Sequence, residues 1–309
     1  MPKNCFYCGS KNTIKKGREG GHQRWYCKEC KRYFTGTHRV TDKDVRDAFS
    51  RGTQTASDLA ERFGVCSRTI YRHLKTEYVE MLPEAIGGTV IVMMDATYWG
   101  RSFGVIIMKD SNTGRVLWFK FIYKKESLAD YREGISWLIG HGYRIAAIVA
   151  DGFKGLRSIL PDTPFQMCQF HQAMIVRTKL TMHPKLEASK ELLHLSHLLC
   201  KTDKESFVAA FQEWESRWSD FIKERTTDAC GKSHYVHKNL RSAYLSIKHN
   251  MPWLWTWYDH DEIEIPNTNN ALEALNSDLK AKLNIHKGIS LEHRKTFIQD
   301  FLINHSPCR

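Results

Sequence analysis

Residues 90–100 read VIVMMDATYWG. Five apolar residues run without a break into Asp95. The run is too continuous for a strand with one wet face and too short for a membrane span. It reads as a buried strand that ends near a carboxylate. A charge in that place is costly unless something pairs with it. A local turn, a salt bridge or a metal ion would each account for Asp95, and the flanking sequence has to choose between them.

Downstream, strand and helix patterns alternate. Residues 89–99 form the first strand of this reading. Residues 102–109 (SFGVIIMK) and 115–123 (RVLWFKFIY) are the second and third, joined by a turn at Asn112-Thr113-Gly114. Residues 127–141 carry the period of an amphipathic helix through Leu128, Tyr131, Ile135, Trp137 and Leu138. Residues 144–150 (RIAAIVA) are a fourth buried strand, also ending on a carboxylate, Asp151, followed by Gly152. Residues 165–169 (FQMCQ) are a candidate fifth. A three-strand meander, a helix and a fourth strand open an RNase H-like α/β fold, in which the first and fourth strands lie side by side. Asp95 and Asp151 would then adjoin. Two such carboxylates repel unless a proton or a cation joins them. A pair of Mg²⁺ ions about 4 Å apart is the common answer in nucleases and polymerases. Taken singly, either Asp reads equally well as a turn former, so a third acidic residue decides the matter.

That residue is sought in EIPNTNNALEALNSDLKAKLN, residues 264–284. Pro266 and the Asn/Thr cluster break the chain, and Thr268 or Asn269 is a candidate helix cap. Glu273 lies in the first turns, where the helix dipole favours an anion. Ala271, Leu272, Leu275 and Leu279 form the packed side. Lys280, seven residues on, returns to the face of Glu273, which suits a metal site beside a DNA phosphate. The plainer alternative is a surface helix with a solvated Glu. The 122 residues from Asp151 to Glu273 exceed what an RNase H-like core needs. The excess reads as a helical insertion over about 174–262, through LEASKELLHLSHLL and KESFVAAFQEWESRWSDFIKER. Trp253, Trp255 and Trp257 read as its core rather than as a platform for an unstacked base.

The N-terminus has a different character. Cys5-x2-Cys8 and Cys27-x2-Cys30 are separated by 18 residues. Each two-residue gap lets two thiolates reach one tetrahedral ion, and two such knuckles make a four-sulfur zinc site. So short a segment buries little, and metal binding would supply much of its folding energy. Arg24-Trp25-Tyr26 and Arg32-Tyr33-Phe34 read as short strands, and the whole as a zinc ribbon over 1–38. Residues 39–78 follow as a helix-turn-helix: Thr41 is a candidate cap before Val45, Ala48 and Phe49. Leu59, Ala60 and Phe63 share a face, Gly64 makes the turn, and Ser67 is a candidate cap for a helix buried through Ile70 and Leu74. Residues 76–88, with Pro83 and Gly87-Gly88, read as the link to the catalytic domain at 89–309.

The charge supports a polyanion partner. Residues 1–40 hold ten Lys and Arg against Glu19 and Glu29, a net +8 of the chain's +12. Lys11, Lys15, Lys16, Arg18 and Arg24 on the ribbon point to DNA phosphates, with a protein-docking knob as the alternative. On the second helix of the helix-turn-helix, Ser67, Arg68, Thr69, Tyr71 and Arg72 are residue types that meet phosphates and base edges in a major groove. The 309 residues are 42% apolar and 26% charged, the balance of a globular protein. No apolar run approaches a membrane helix, and the first residues lack a signal core, so a cytosolic protein with no membrane partner is expected. Nine Cys in such a compartment are not expected to form disulfides.

The motifs DATYWG, ADGFKGL, CQFHQ and PNTNNALEALNSDLK, in this order, resemble those of DDE transposases of bacterial insertion sequences, closest to the class related to the eukaryotic Mutator elements. The likeness covers most of residues 90–290, and a zinc ribbon with a helix-turn-helix in front is also familiar there. The resemblance implies an RNase H-like core with a helical insertion, and a catalytic triad falling on Asp95, Asp151 and Glu273. That triad would hold two Mg²⁺ (Mn²⁺ substituting), besides one structural Zn²⁺ on Cys5, Cys8, Cys27 and Cys30. The family's Cys-x2-His motif falls on Cys168 and His171; two ligands are too few for a tetrahedral site, so a structural role, or a place for His171 near substrate phosphate, is expected rather than a zinc site. Its Asn pair falls on Asn269 and Asn270. The implied partners are double-stranded DNA, at the ends of a mobile element and at its target, and further copies of the chain in a dimer or larger. The implied place is the bacterial cytoplasm, on the nucleoid. Other readings of the same residues are a regulator derived from a transposase that binds DNA without cutting, and an RNase H-like nuclease that cuts by DNA shape.

Overall fold

The computed structural model describes residues 4–5, 7–35, 40–75, 87–286 and 288–305. Most of the expected link over 76–88 lies outside them. The chain divides into two compact units, Met1–Glu77 and Tyr78–Arg309.

The first unit opens with three short strands, β1 (Thr13–Glu19), β2 (His22–Cys27) and β3 (Tyr33–Thr35), in one antiparallel sheet of order β1-β2-β3. Among the described residues its core is Cys5, Trp25, Cys27 and Phe34, with Cys30 packed against them. Three helices follow: α1 (Asp42–Arg51), α2 (Ala56–Phe63) and α3 (Ser67–Leu74). Thr41 caps α1 through a reciprocal pair with Asp44, and Thr55 caps α2 in the same way with Asp58. Gly64 ends α2 at φ +63°, a conformation that costs a side chain but not glycine. Val45, Phe49, Leu59, Ile70 and Leu74 are buried. Ser67 does not cap α3. The cap position is Cys66, whose thiol lies 3.4 Å from the Thr69 hydroxyl, and Ser67 is the first helical residue.

The second unit is a mixed α/β fold. Its strands are β4 (Gly88–Tyr98), β5 (Gly104–Asp110), β6 (Val116–Ile122), β7 (Tyr143–Ala150) and β8 (Phe165–Met167), with α4 (Leu128–Gly140) between β6 and β7. The sheet order is β6-β5-β4-β7-β8; β4, β5 and β6 pair antiparallel, and β7 lies parallel to β4 on one side and to β8 on the other. The expected neighbourhood of the first and fourth strands is therefore present. Asp110, at the end of β5, is buried yet satisfied: its carboxylate accepts from the Thr113 N–H and hydroxyl, tying the turn to β6.

Alternation along the strands sorts the core. Val90, Val92 and Met94 face α4, against Tyr131, Ile135 and Leu138. Ile91, Met93 and Asp95 therefore point to the opposite face, where α10 (Asn270–Ile285) packs on β4 and α11 (Leu291–Asn304) on β6.

Between β8 and α10 stands a largely helical stretch. It comprises α5 (Gln169–Leu180), α6 (Glu187–Leu198), α7 (Lys204–Trp218), α8 (Lys238–Leu254) and α9 (Thr256–Asp259), with a small hairpin of β9 (Arg225–Thr227) and β10 (Ser233–Tyr235) that the sequence pattern did not reveal. Its core runs through Val176, Leu192, Phe207, Phe211, Trp214, Tyr244 and Trp255; Trp253 and Trp257 pack beside it. Of three buried glutamines, Gln166 on β8 fastens this stretch to the sheet, and Gln169 and Gln172 join α5 to α8 within it. Gln166 and Gln169 both donate to the Leu254 carbonyl, at 3.1 and 2.9 Å, and Gln172 donates to Ser246 at 3.0 Å. Among the described residues no helix is long and apolar enough to cross a membrane.

Candidate metal centres and carboxylate site

The N-terminal site is built from two matching knuckles. The Cys5 N–H donates to the Ser10 carbonyl at 2.8 Å, and the Cys27 N–H to the Arg32 carbonyl at 3.0 Å, the same five-residue closure in each. The second Cys of each knuckle is followed by a left-handed residue, Gly9 at φ +72° and Lys31 at φ +57°. These turns bring Cys5 Sγ to 3.5 Å from Cys30 Sγ, and Cys8 Sγ to 3.6 Å from Cys27 Sγ; all four sulfurs lie within 4.8 Å of one another. A disulfide would need about 2.05 Å, whereas four thiolates at about 2.3 Å from a tetrahedral Zn²⁺ sit roughly 3.8 Å apart. The cluster fits zinc. Backbone N–H groups at Cys30 and Glu29 pull the Cys27 thiol down to about 7, whereas burial pushes the Cys30 thiol up to about 12.

The residues expected to meet DNA are placed as follows. Lys15 and Lys16 are exposed on β1, and the Lys15 ammonium lies 5.8 Å from the Trp25 ring centre. Arg24 is partly buried, ion-paired to Glu19 at 3.5 Å and stacked over Tyr33 at 4.3 Å. Arg68, Tyr71 and Arg72 are exposed on α3, with Ser67 and Thr69 partly covered beside them. Lys280 is exposed on α10.

The carboxylates occupy the sheet face that meets α10. Asp95 is not the last residue of its strand. Pairing with β5 continues past it to Tyr98↔Gly104, whereas the parallel pairing with β7 stops at Met93↔Val149. Asp95 and Asp151 each stand two residues beyond that last pair, so they share a face at the point where the two strands separate. The Asp151 carboxylate accepts from the Phe153 N–H at 2.9 Å, which fixes it in a tight turn. Asp95 Oδ2 accepts from the Asn276 amide at 2.8 Å. Burial and the charge of Asp151 push the Asp95 carboxyl up to about 7, against an opposing pull from His171.

Glu273 sits one turn before Asn276 on α10. Burial raises its carboxyl above the usual range, again opposed by His171. Its Oε1 is 3.4 Å from His171 Nδ1 and 3.9 Å from Cys168 Sγ. Among the described residues, Glu273 converges within 4.8 Å with Cys168 and His171, a group to which Asp95 and Asp151 do not belong. His171 acts on both Asp95 and Glu273 and so links the two halves of the site. Cys168 is fully buried at the start of α5, and burial pushes its thiol up to about 12. Asn269 is buried but does not cap α10 with its side chain; its amide donates to the Met94 carbonyl at 3.0 Å and pins the helix start to β4. Asn270 is exposed.

Two participants escaped the sequence reading. Asn276 holds Asp95, and its place three residues after Glu273, on the same helical face, was a usable signal. Glu126, just before the Ser127 cap of α4, is raised by burial and by Asp151, and accepts a hydrogen bond from Tyr131. Nothing in its local pattern distinguishes it from a surface Glu.

The oxygen donors of Asp95, Asp151 and Glu273 suit Mg²⁺, which binds through a few carboxylates and keeps waters and phosphate oxygens. A cation there would relieve the repulsion that lifts the Asp95 carboxyl.

No protein-family model matches the chain, and no curated protein matches it in sequence. Among solved structures it is similar to the Drosophila P element transposase strand transfer complex, at 12% identity over 86% of this chain and 92% of that one, with a TM-score of 0.38. It is also similar to the simian T-cell lymphotropic virus intasome in complex with PP2A regulatory subunit B56 gamma, at 13% identity over 63% and 70%, with a TM-score of 0.22. At these scores the likeness carries no weight beside the site's own geometry.

Proposed function

We propose that the chain is a DDE transposase with an RNase H-like core, of the bacterial insertion-sequence class that its motifs resemble. In this reading the zinc ribbon and the helix-turn-helix bind the ends of its element, and Asp95, Asp151 and Glu273 form the catalytic set. The observation that carries the reading is the placement of Asp95 and Asp151 at the parting of two parallel strands, under the helix that bears Glu273. Two Mg²⁺ ions held by this set would activate first water and then the DNA 3′-hydroxyl, and would offset charge on the leaving oxygen.

The chain's own residues prepare that chemistry. A central strand positions Asp95 independently of loops, and Asn276 orients its Oδ2. The turn at Phe153 presents Asp151. Asn269 fixes the start of α10, and with it Glu273, against β4. Lys280 and the exposed cations of β1 and α3 supply phosphate contacts. Work on two DNA ends implies a dimer or larger assembly in the bacterial cytoplasm.

The test is strand nicking of a duplex that carries the DNA flanking the coding region, with Mg²⁺ or Mn²⁺. Wild type nicks at the element end; Asp95→Asn and Asp151→Asn bind the duplex but do not nick it. Equal nicking by these variants would remove the catalytic assignment. Binding without nicking by wild type would favour a regulator, and cutting governed by DNA shape alone would favour a repair-type nuclease.

A further inference from the structure

We infer that Cys168, His171 and Glu273 form a second transition-metal site, for one thiophilic divalent cation of the Zn²⁺ type, separate from the ribbon. Two segments far apart in sequence build it. Cys168 and His171 stand three residues apart at the start of α5, and Glu273 enters from the first turns of α10. All three ligand atoms lie within 4.8 Å of one another. In a tetrahedral zinc site with one sulfur, one nitrogen and one oxygen, ligand atoms sit roughly 3.3–3.6 Å apart. The His171–Glu273 pair is already at 3.4 Å, and Cys168 is at 3.9 Å from the same carboxylate oxygen.

Two further features point to a ligand. His171 Nδ1 is buried and makes no hydrogen bond, although it faces Glu273. Cys168 Sγ accepts from the Asn269 N–H at 3.2 Å, and Asn269 is itself anchored to Met94. Such an outer donor orients a ligating sulfur and stabilises its charge. The donor set also excludes Mg²⁺ as the preferred guest, because sulfur and imidazole select Zn²⁺-like ions whereas Mg²⁺ takes oxygen. Three protein ligands leave one position for water or a phosphate oxygen. One carboxylate cannot serve both cations fully, so Zn²⁺ held here withdraws Glu273 from the Mg²⁺ set and restrains the enzyme. That consequence rests on the proposed function; the site itself does not.

The experiment is a Co²⁺ titration of the full chain after its metal has been removed, followed by absorbance. Wild type takes two sulfur-bound equivalents, counted by their charge-transfer bands: one with the intense sulfur-to-cobalt bands of four thiolates, and one with the weaker band of a single thiolate. Cys168→Ser and His171→Asn each take only the first. The His171 ring is partly exposed, so its variant remains informative should the buried Cys168 change disturb folding. A wild type that takes one equivalent, or variants that both keep two, overturns the inference. Two equivalents without DNA nicking would sink the proposed function and leave the metal site standing; nicking with one equivalent would do the reverse.

Discussion

The two candidate metal centres are assembled in opposite ways. The ribbon gathers four soft ligands from within 26 residues, on two turns of the same backbone design, and its sulfurs already lie at separations suited to one ion. The carboxylate site draws its three proposed ligands from across 179 residues, on a strand, the turn after a strand and a helix. The ribbon has almost no core beyond its ligands, so metal and fold are one event. The carboxylates are carried by a sheet with its own packed apolar core, and a cation there would answer a repulsion rather than hold the fold together. Metal dependence should therefore mean stability in one unit and chemistry in the other.

Metal removal breaks the comparison most forcefully. Replacing Cys8 or Cys27 by Ser should abolish ribbon folding, since structural zinc contributes on the order of 10 kcal/mol. Zinc content and protease resistance of the first unit should fall together, while the second unit melts unchanged. A ribbon that stays protease-resistant without zinc would remove the contrast. Next in size, Asp95→Asn should lower Mg²⁺-dependent nicking by at least about a thousandfold, roughly 4 kcal/mol in barrier, with the fold intact. Loss of secondary structure in that variant would show that the carboxylate is structural after all.

The pH dependence sharpens the difference. Folding raises the Asp95 carboxyl from its ordinary value of 3.8 to about 7, so the native state binds more protons than the unfolded state between those values. Stability from this group is therefore full below about pH 4 and is lost as pH rises towards 7. In chelator, the melting temperature of wild type should fall relative to Asp95→Asn over that window, and Mg²⁺ should narrow the gap at its upper end. A gap that does not change with pH would place Asp95 in a wetter environment than the fold implies.

Smaller effects test the supports. Gln166→Leu strands the Trp257 N–H, while the Leu254 carbonyl keeps its bond from Gln169. It should cost about 1–3 kcal/mol for the group left unpaired, read by denaturant unfolding. Lys31→Gly relieves a left-handed residue and should stabilise the zinc-loaded ribbon by about 1 kcal/mol. A destabilised Lys31→Gly ribbon would show that the Lys31 side chain contributes more than its backbone costs.

Legibility followed the same division. The four Cys announce themselves by spacing, because both knuckles are local. The strands of the large sheet were legible from apolar runs, and the helix cap at Thr41 from residue type. Three features were not. The cap of α3 falls on Cys66, since a polar side chain at Ser67 does not decide where a helix begins. The β9–β10 hairpin was hidden because its three-residue strands are too short for a period to register. CQFHQ read only as a Cys-x2-His motif with a structural or phosphate-proximal role, yet Gln169 and Gln172 prove to be buried clamps onto α8, and Cys168 and His171 turn towards Glu273. Glutamine gives no sequence signal of burial; only its partners 74–85 residues away supply one.

Local pattern alone fixed the two thiolate pairs, the strands of the large sheet with the helix between them, and the three acidic residues worth watching. Each of these depends on neighbours within a turn or a strand. Only the tertiary structure decided that Asp95 sits inside its strand beside the parting from β7, that Asn276 holds it, and that Glu273 lies against Cys168 and His171. Those facts depend on parallel pairing and on one helix crossing a sheet face. Such contacts join segments far apart in the chain, 181 residues for the Asn276–Asp95 bond, and no local pattern encodes them.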